Sequence, residues 1–244
     1  MSLAGRIVVF AAIVPLAAAV RANRSTSLIH ATVWAVVAWA GWLAAATSEA
    51  AAASHVALVL TGCAGVAVLG ARRPGAAAWN FVVLGLLVVL LLPLLEAAAL
   101  NTPLHPGTFR TVFLAVLLGT TVMNYLPTRL AAAAVLLGVG CGWQLADVLG
   151  GRAGNEVAAG CVGLATWFGW LGWRATPNRE SAGDRRWRDF RDRYGFVWGQ
   201  RVRDQFNRAA VNAGLACELR WTGFHPQCGA AAQELLEALT KRFC

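Results

Sequence analysis

The sequence predicts an all-α membrane protein: a seven-helix transmembrane bundle followed by a small cytoplasmic helix-strand-helix module. Three observations predict it. Seven apolar stretches fill residues 3–173, each near the roughly 20 residues a helix needs to cross the hydrocarbon of a bilayer. Hydrophobic residues make up 58% of the chain and charged residues 14%, well away from the soluble balance of roughly 45–50% and about 25%. The chain then changes character after residue 173, where an arginine-rich polar tail begins.

The spans run over 3–20, 28–47, 54–71, 78–100, 108–126, 129–149 and 156–173. The breaks between them carry charge, Gly, Pro and Asn: Arg21 to Ser27, Thr47 to Ala53, Arg72 to Gly75, Asn101 to Gly107, Pro127, and Gly150 to Asn155. An odd number of spans puts the termini on opposite sides, and positive charge decides which is which. With the tail inside, the inner loops hold Arg21, Arg24, Arg72, Arg73 and Arg129. The outer side then holds Arg6, Arg110 and Arg152. The expectation is therefore a multi-pass cell-membrane protein with its N-terminus outside and its C-terminus in the cytoplasm. Arg6, the run Ile7 to Val14 and the small residues Ala17, Ala18 and Ala19 also fit a secretory signal peptide. Its cleavage would leave six spans and export the basic tail, against the charge rule.

Tryptophan placement follows the spans. Trp79 opens the fourth, Trp143 lies near the outer end of the sixth, and Trp167, Trp170 and Trp173 form a stripe on the last. They read as interfacial anchors and packing ridges, as do Trp34, Trp39 and Trp42. Gly138 and Gly142 make a GxxxG pair, which lets helices approach closely.

Ionisable groups inside a bilayer are the first place to look for chemistry, and here they gather at the outer helix ends. Glu96, His105, Asp147 and Glu156, with Glu49 and His55, are the residue types that hold a divalent cation or exchange protons. They define the alternative function, a membrane enzyme or a cation or small-solute carrier. Helix ends are also where polar residues belong by default, and Arg110 and Arg152 stand near enough to pair with them. The expectation is no metal, no cofactor and no catalytic residue. Asn124, Tyr125 and His30 near inner ends are expected to satisfy backbone or headgroups. Retinal chemistry of the microbial-rhodopsin type needs a Lys on the last helix, and the sole lysine is Lys241 in the tail. The six cysteines are scattered without the clustering of a metal site.

The tail, residues 174–244, holds 13 of the 21 basic and 8 of the 12 acidic residues. A linker over 175–183 leads to the module, 184–244. Trp187, Phe190, Tyr194, Val197, Trp198, Val202, Phe206 and Ala210 recur at intervals of mostly three and four, predicting an amphipathic helix over 184–213 with Asp184 as N-cap and Gly214 as stop. Leu215, Cys217, Leu219 and Trp221 alternate with polar neighbours, predicting one half-buried strand that lacks a partner within the tail. A last helix over 229–243 carries Ala232, Leu235, Leu236, Leu239 and Phe243 on one stripe. Arg185, Arg186, Trp187, Arg188, Phe190 and Trp221 are the expected contact residues, for anionic headgroups, a second copy or a protein partner. Basic residues interleaved with aromatics also occur in nucleic-acid binders, but their position beside the last span points to lipid. The predicted function is that of a non-enzymatic membrane anchor or assembly protein.

Overall fold

The computed structural model describes residues 10–48, 50–72, 75–150, 156–175, 181–225 and 228–243. Arg6 and the start of the first predicted span, Glu49, Arg73, Arg152, most of the 175–183 linker, Pro226 and Cys244 lie outside the described residues.

The chain is a succession of helices with one short hairpin: α1 (Ile13–Asn23), α2 (Ile29–Thr47), α3 (Ala51–Leu69), α4 (Ala76–Leu100), α5 (Thr108–Tyr125), α6 (Ala131–Leu149), α7 (Glu156–Arg174), α8 (Ala182–Asn212), β1 (Glu218–Arg220), β2 (Gly223–His225), α9 (Ala230–Thr240) and a closing 3₁₀ turn (Lys241–Phe243). Four of these, α2, α3, Ala77–Leu100 of α4 and α6, are long and apolar enough to cross a membrane. Helices α5 and α7 have the length, but Arg110 and Asn124 in one and Glu156 and Arg174 in the other lower their apolar average.

Close backbone approach organises the bundle, because lipid-soluble helices gain little from hydrophobic burial against one another and rely on packing. α2 and α3 form the most extensive pair and α6 and α7 the next. A Cβ on Gly41 would lie 3.3 Å from the Ala57 Cα, and one on Gly140 would lie 2.9 Å from the Ala158 carbonyl. The GxxxG pair does not share an interface: Gly138 faces Val122 on α5, while Gly142 meets open space. Helix α3 is the central member, in contact with α2, α4, α5, α6 and α8.

Helix α4 is the opposite case. Only 17% of its most apolar window is buried, and Phe81, Val88, Leu95 and Leu100 are among its exposed side chains. Leaving one such side chain in water forfeits about 1.5–3 kcal/mol. Its Pro93 removes a helical hydrogen bond, and Asn101 in the left-handed region ends the helix, its backbone continuing with Thr102 N–H to the Ala97 carbonyl at 3.0 Å.

The tail departs from the sequence expectation in three ways. Helix α8 begins at Ala182 with Ser181, not Asp184, as N-cap; the Ser181 hydroxyl oxygen accepts from the Asp184 N–H at 3.0 Å. The helix is broken at Gly195, which has φ 78° and ψ −169°. The predicted strand is not alone: β1 pairs antiparallel with β2 through a tight turn, Leu219 opposite Phe224. At its far end α8 closes on Gly214 at φ 66°, with Leu215 N–H to the Ala210 carbonyl at 2.9 Å and Gly214 N–H to the Val211 carbonyl at 3.1 Å. That doubly bonded ending is the Schellman motif. The alternation of residues 215–222 holds in burial: Leu219 is fully covered and Leu215, Cys217 and Trp221 half-covered, while Ala216, Glu218, Arg220 and Thr222 are exposed.

Candidate functional site

The described side chains with the densest buried polar chemistry lie along the seam where the tail meets the helical bundle. Three loops of the bundle reach it: Ser27 between α1 and α2, Ala71 after α3, and Tyr125 to Arg129 between α5 and α6.

The break in α8 is the first element. Interrupting a helix frees backbone donors and acceptors, which must find partners when buried. Asn124, one residue before the end of α5, supplies them. Its Oδ1 accepts from the Val197 N–H at 3.0 Å, and its Nδ2 donates to the Tyr194 carbonyl at 3.5 Å. Only glycine fits there, since a Cβ on residue 195 would lie 2.2 Å from Asn124 Nδ2. Next to it the Tyr125 hydroxyl donates to the Arg193 carbonyl at 3.3 Å.

A charge cluster forms the second element. The Asp192 side chain is fully buried; it accepts from Arg191 Nε and Nη2 at 2.9 and 2.8 Å and from Arg129 Nε. Arg129 also donates to the Ala175 carbonyl at 2.8 Å and reaches Asp189 at 3.4 Å. Arg188 is buried among them, and burial, reinforced by Arg129, lowers its pKa from the ordinary value while Asp189 and Asp192 oppose the shift. A guanidinium stays protonated in proteins, so this seam holds three cations against two carboxylates. Breaking such a buried pair costs about 3–5 kcal/mol, because the surviving charge is left uncompensated.

Indole N–H groups are the third. Trp221 Nε1 donates to the Pro127 carbonyl at 2.7 Å and Trp198 Nε1 to the Val68 carbonyl at 3.2 Å. The Phe243 carbonyl at the chain's last described residue accepts from the Ser27 N–H at 2.9 Å and the Tyr194 hydroxyl at 2.8 Å, and the Ser27 hydroxyl also donates to the Ala71 carbonyl. Between these bonds lies an aromatic cluster of Phe190, Tyr194, Trp198 and Phe243, with ring centroids 4.8 to 5.1 Å apart. Each such pair contributes about 0.5–1.5 kcal/mol beyond its buried area.

This geometry corrects the expected contact set. Trp187 and Phe190 are interior, with 0% and 6% exposure, and Arg188 is buried at 7%, so none of the three presents its side chain to lipid. The apolar face that the spacing identified is covered by the chain's own hairpin and terminal turn: Trp187 stacks edge-on against Trp221 and donates to its carbonyl at 3.2 Å. Trp221 is half-buried against the α5–α6 loop. Arg185 and Arg186 remain on the open surface, Arg186 pairing with Glu237 at 2.6 Å.

The residues expected at the opposite ends of the helices do not converge. Glu96 is held by a two-pronged pair with Arg110 at 2.7 and 2.9 Å, and both are partly exposed; a solvent-screened pair of that kind contributes little to stability. His105 and Glu156 are exposed, and Asp147 is buried. Among the described residues no three His, Cys, Asp or Glu side chains stand close enough together to hold a metal ion. Three further polar groups are buried at this end, Ser54, His55 and Gln144, at 0%, 2% and 1% exposure; of these, His55 belongs to the expected set and Ser54 does not. His55 Nε2 bonds the Leu90 carbonyl at 3.0 Å, in the turn of α4 before Pro93. At the other end His30 Nδ1 meets Asn80 Nδ2 at 3.0 Å. No protein-family model, no curated protein and no solved structure matches this chain.

Proposed function

We propose that this chain is a seven-span protein of the cell membrane with its N-terminus outside and its C-terminus in the cytoplasm. Its activity is non-enzymatic: the helices anchor it, and the tail is a basic cytoplasmic module that meets anionic headgroups and a second copy or a protein partner. Helices α1, α5 and α7 join the four longer apolar helices as spans.

One observation carries the reading. Among the described residues, the loops in contact with the tail are alternate ones, around Ser27, Arg72 and Pro127, and the tail itself follows α7. Loops that alternate on one face are what an up-and-down bundle of seven helices produces. That same face bears Arg21, Arg24, Arg72 and Arg129 in addition to the tail's own arginines, which is the charge distribution of a cytoplasmic side. With Trp187, Phe190 and Arg188 buried, the surface left for headgroups is Arg185, Arg186 and the other exposed arginines of the tail.

A reporter active only in the cytoplasm, fused after Cys244, tests the topology. Activity is the expected result. A silent cytoplasmic reporter with an active periplasmic or extracellular one would put the tail outside and restore the cleaved-signal reading.

A further inference from the structure

We infer that the tail and the end of α3 together build a binding site for a phosphate group. The site is a cavity of about 360 Å³, within the roughly 300–1,000 Å³ of ordinary ligand sites. Among the described residues four arginines line it: Arg72, just past α3, Arg201 and Arg208 on α8, and Arg242 in the closing turn. Arg201 and Arg208 are seven residues apart, two helical turns, and so lie on one face.

Among the described residues the one carboxylate in the lining is Asp204, which also takes Arg203 at 3.5 Å and Gln200 at 3.4 Å. Among the described residues no carboxylate forms an ion pair with Arg72, Arg201, Arg208 or Arg242. Among the described residues the cavity therefore holds three positive charges in excess, against one at the seam. Guanidinium groups converging from several directions match the oxygens of a phosphate, each able to donate two parallel hydrogen bonds.

The wall of the cavity is fixed. Arg201 lies 5.0 Å from the Trp198 ring centroid, and the Trp198 indole is tied to the Val68 carbonyl on α3. Phe243, packed on Trp198 at 5.1 Å, completes it. Because Val68 and Arg72 flank the end of an apolar helix long enough to cross a membrane, the cavity sits at the depth of headgroups. The source of the phosphate rests on the proposed topology: with the tail in the cytoplasm it is an inner-leaflet lipid, and the same chemistry would take free phosphate.

The full chain in an uncharged detergent is titrated by calorimetry with phosphatidic acid, with phosphatidylcholine and with inorganic phosphate. Phosphatidic acid is expected to bind saturably at one site and phosphatidylcholine not to bind. The exposed pair Arg201→Gln/Arg208→Gln is expected to weaken phosphatidic acid by about tenfold or more, from about fivefold per basic residue; Arg208→Gln/Arg242→Gln does the same if the first pair folds poorly. The charge-matched pair Arg21→Gln/Arg24→Gln, exposed and outside the cavity, is expected to change it by less than about threefold, since exposed charges farther away than a screening length contribute little. Saturation by inorganic phosphate in competition with the lipid would assign the site to the free anion and support it equally. Equal weakening by the inside and outside pairs would overturn the site, leaving diffuse surface attraction and the proposed topology intact. An external tail in the reporter experiment would overturn the topology and leave the site standing.

Discussion

Replacing Gly195 by alanine tests whether the tail is held to the helices through the break in α8. Residue 195 has φ 78° and ψ −169°, a region open essentially to glycine, and holding another residue there costs of order 1–3 kcal/mol. The added methyl would also lie 2.2 Å from Asn124 Nδ2 and 2.8 Å from the Asn124 carbonyl. The carboxamide must then withdraw, stranding the Val197 N–H and the Tyr194 carbonyl, at about 1–3 kcal/mol for each buried group left unsatisfied. Together these give roughly 3–9 kcal/mol against docking. Even the lower figure raises the undocked population by on the order of a hundredfold, and cleavage of a transiently opened state follows that population. Limited proteolysis of the full-length protein in detergent is the assay, with cleavage mapped to α8 and the segment before it. Asn124→Ala should open the same sites to a lesser degree, since it removes the two hydrogen bonds without the backbone strain. A Gly195→Ala protein cleaved at the wild-type rate would refute the reasoning.

Two further outcomes follow from the seam and the hairpin. Asp192→Asn leaves Arg129, Arg188 and Arg191 without the fully buried carboxylate that two of them share; a loss of about 3–5 kcal/mol should appear as a lowered thermal midpoint and as cleavage in the region exposed by Gly195→Ala. Burial, with a hydrogen bond to Cys217, pushes the Cys228 thiol up to about 12. Its thiolate, the reactive form, is therefore scarce at neutral pH, so alkylation of Cys228 at pH 8 should be slow in the folded protein, rise by about tenfold per pH unit as the thiolate fraction grows, and become fast at pH 8 in denaturant.

Local pattern was enough for some of this and not for the rest. Intervals of three and four picked out Trp187, Phe190, Tyr194, Trp198, Val202 and Phe206, all of which are buried, because periodicity reports which face of a helix is apolar. It does not report what covers that face. Lipid and a hairpin of the same chain leave the same trace, which is why Trp187 and Phe190 were expected at headgroups. The hairpin escaped because its strands are three residues each and its turn, Trp221 and Thr222, lacks the Asn-Gly or Asp-Gly pair that marks such turns. Gly195 carries no local sign of a positive φ, and its partner Asn124 stands 73 residues from Val197 in sequence. The arginine cavity was beyond reach for the same reason: Arg72 and Arg242 meet only through the fold. Among the outer polar residues, Glu96 and Arg110 were near enough in sequence for pairing to be foreseen.

Helix α4 sets a condition on the surroundings of this protein. Its 25 residues rise about 37 Å at 1.5 Å each, whereas the hydrocarbon slab of a typical bilayer is about 30 Å thick. Its apolar flank is turned outward over nearly that whole length. A membrane of ordinary thickness must therefore receive this helix leaning by tens of degrees or swell around it, and a thicker one would let it stand more upright.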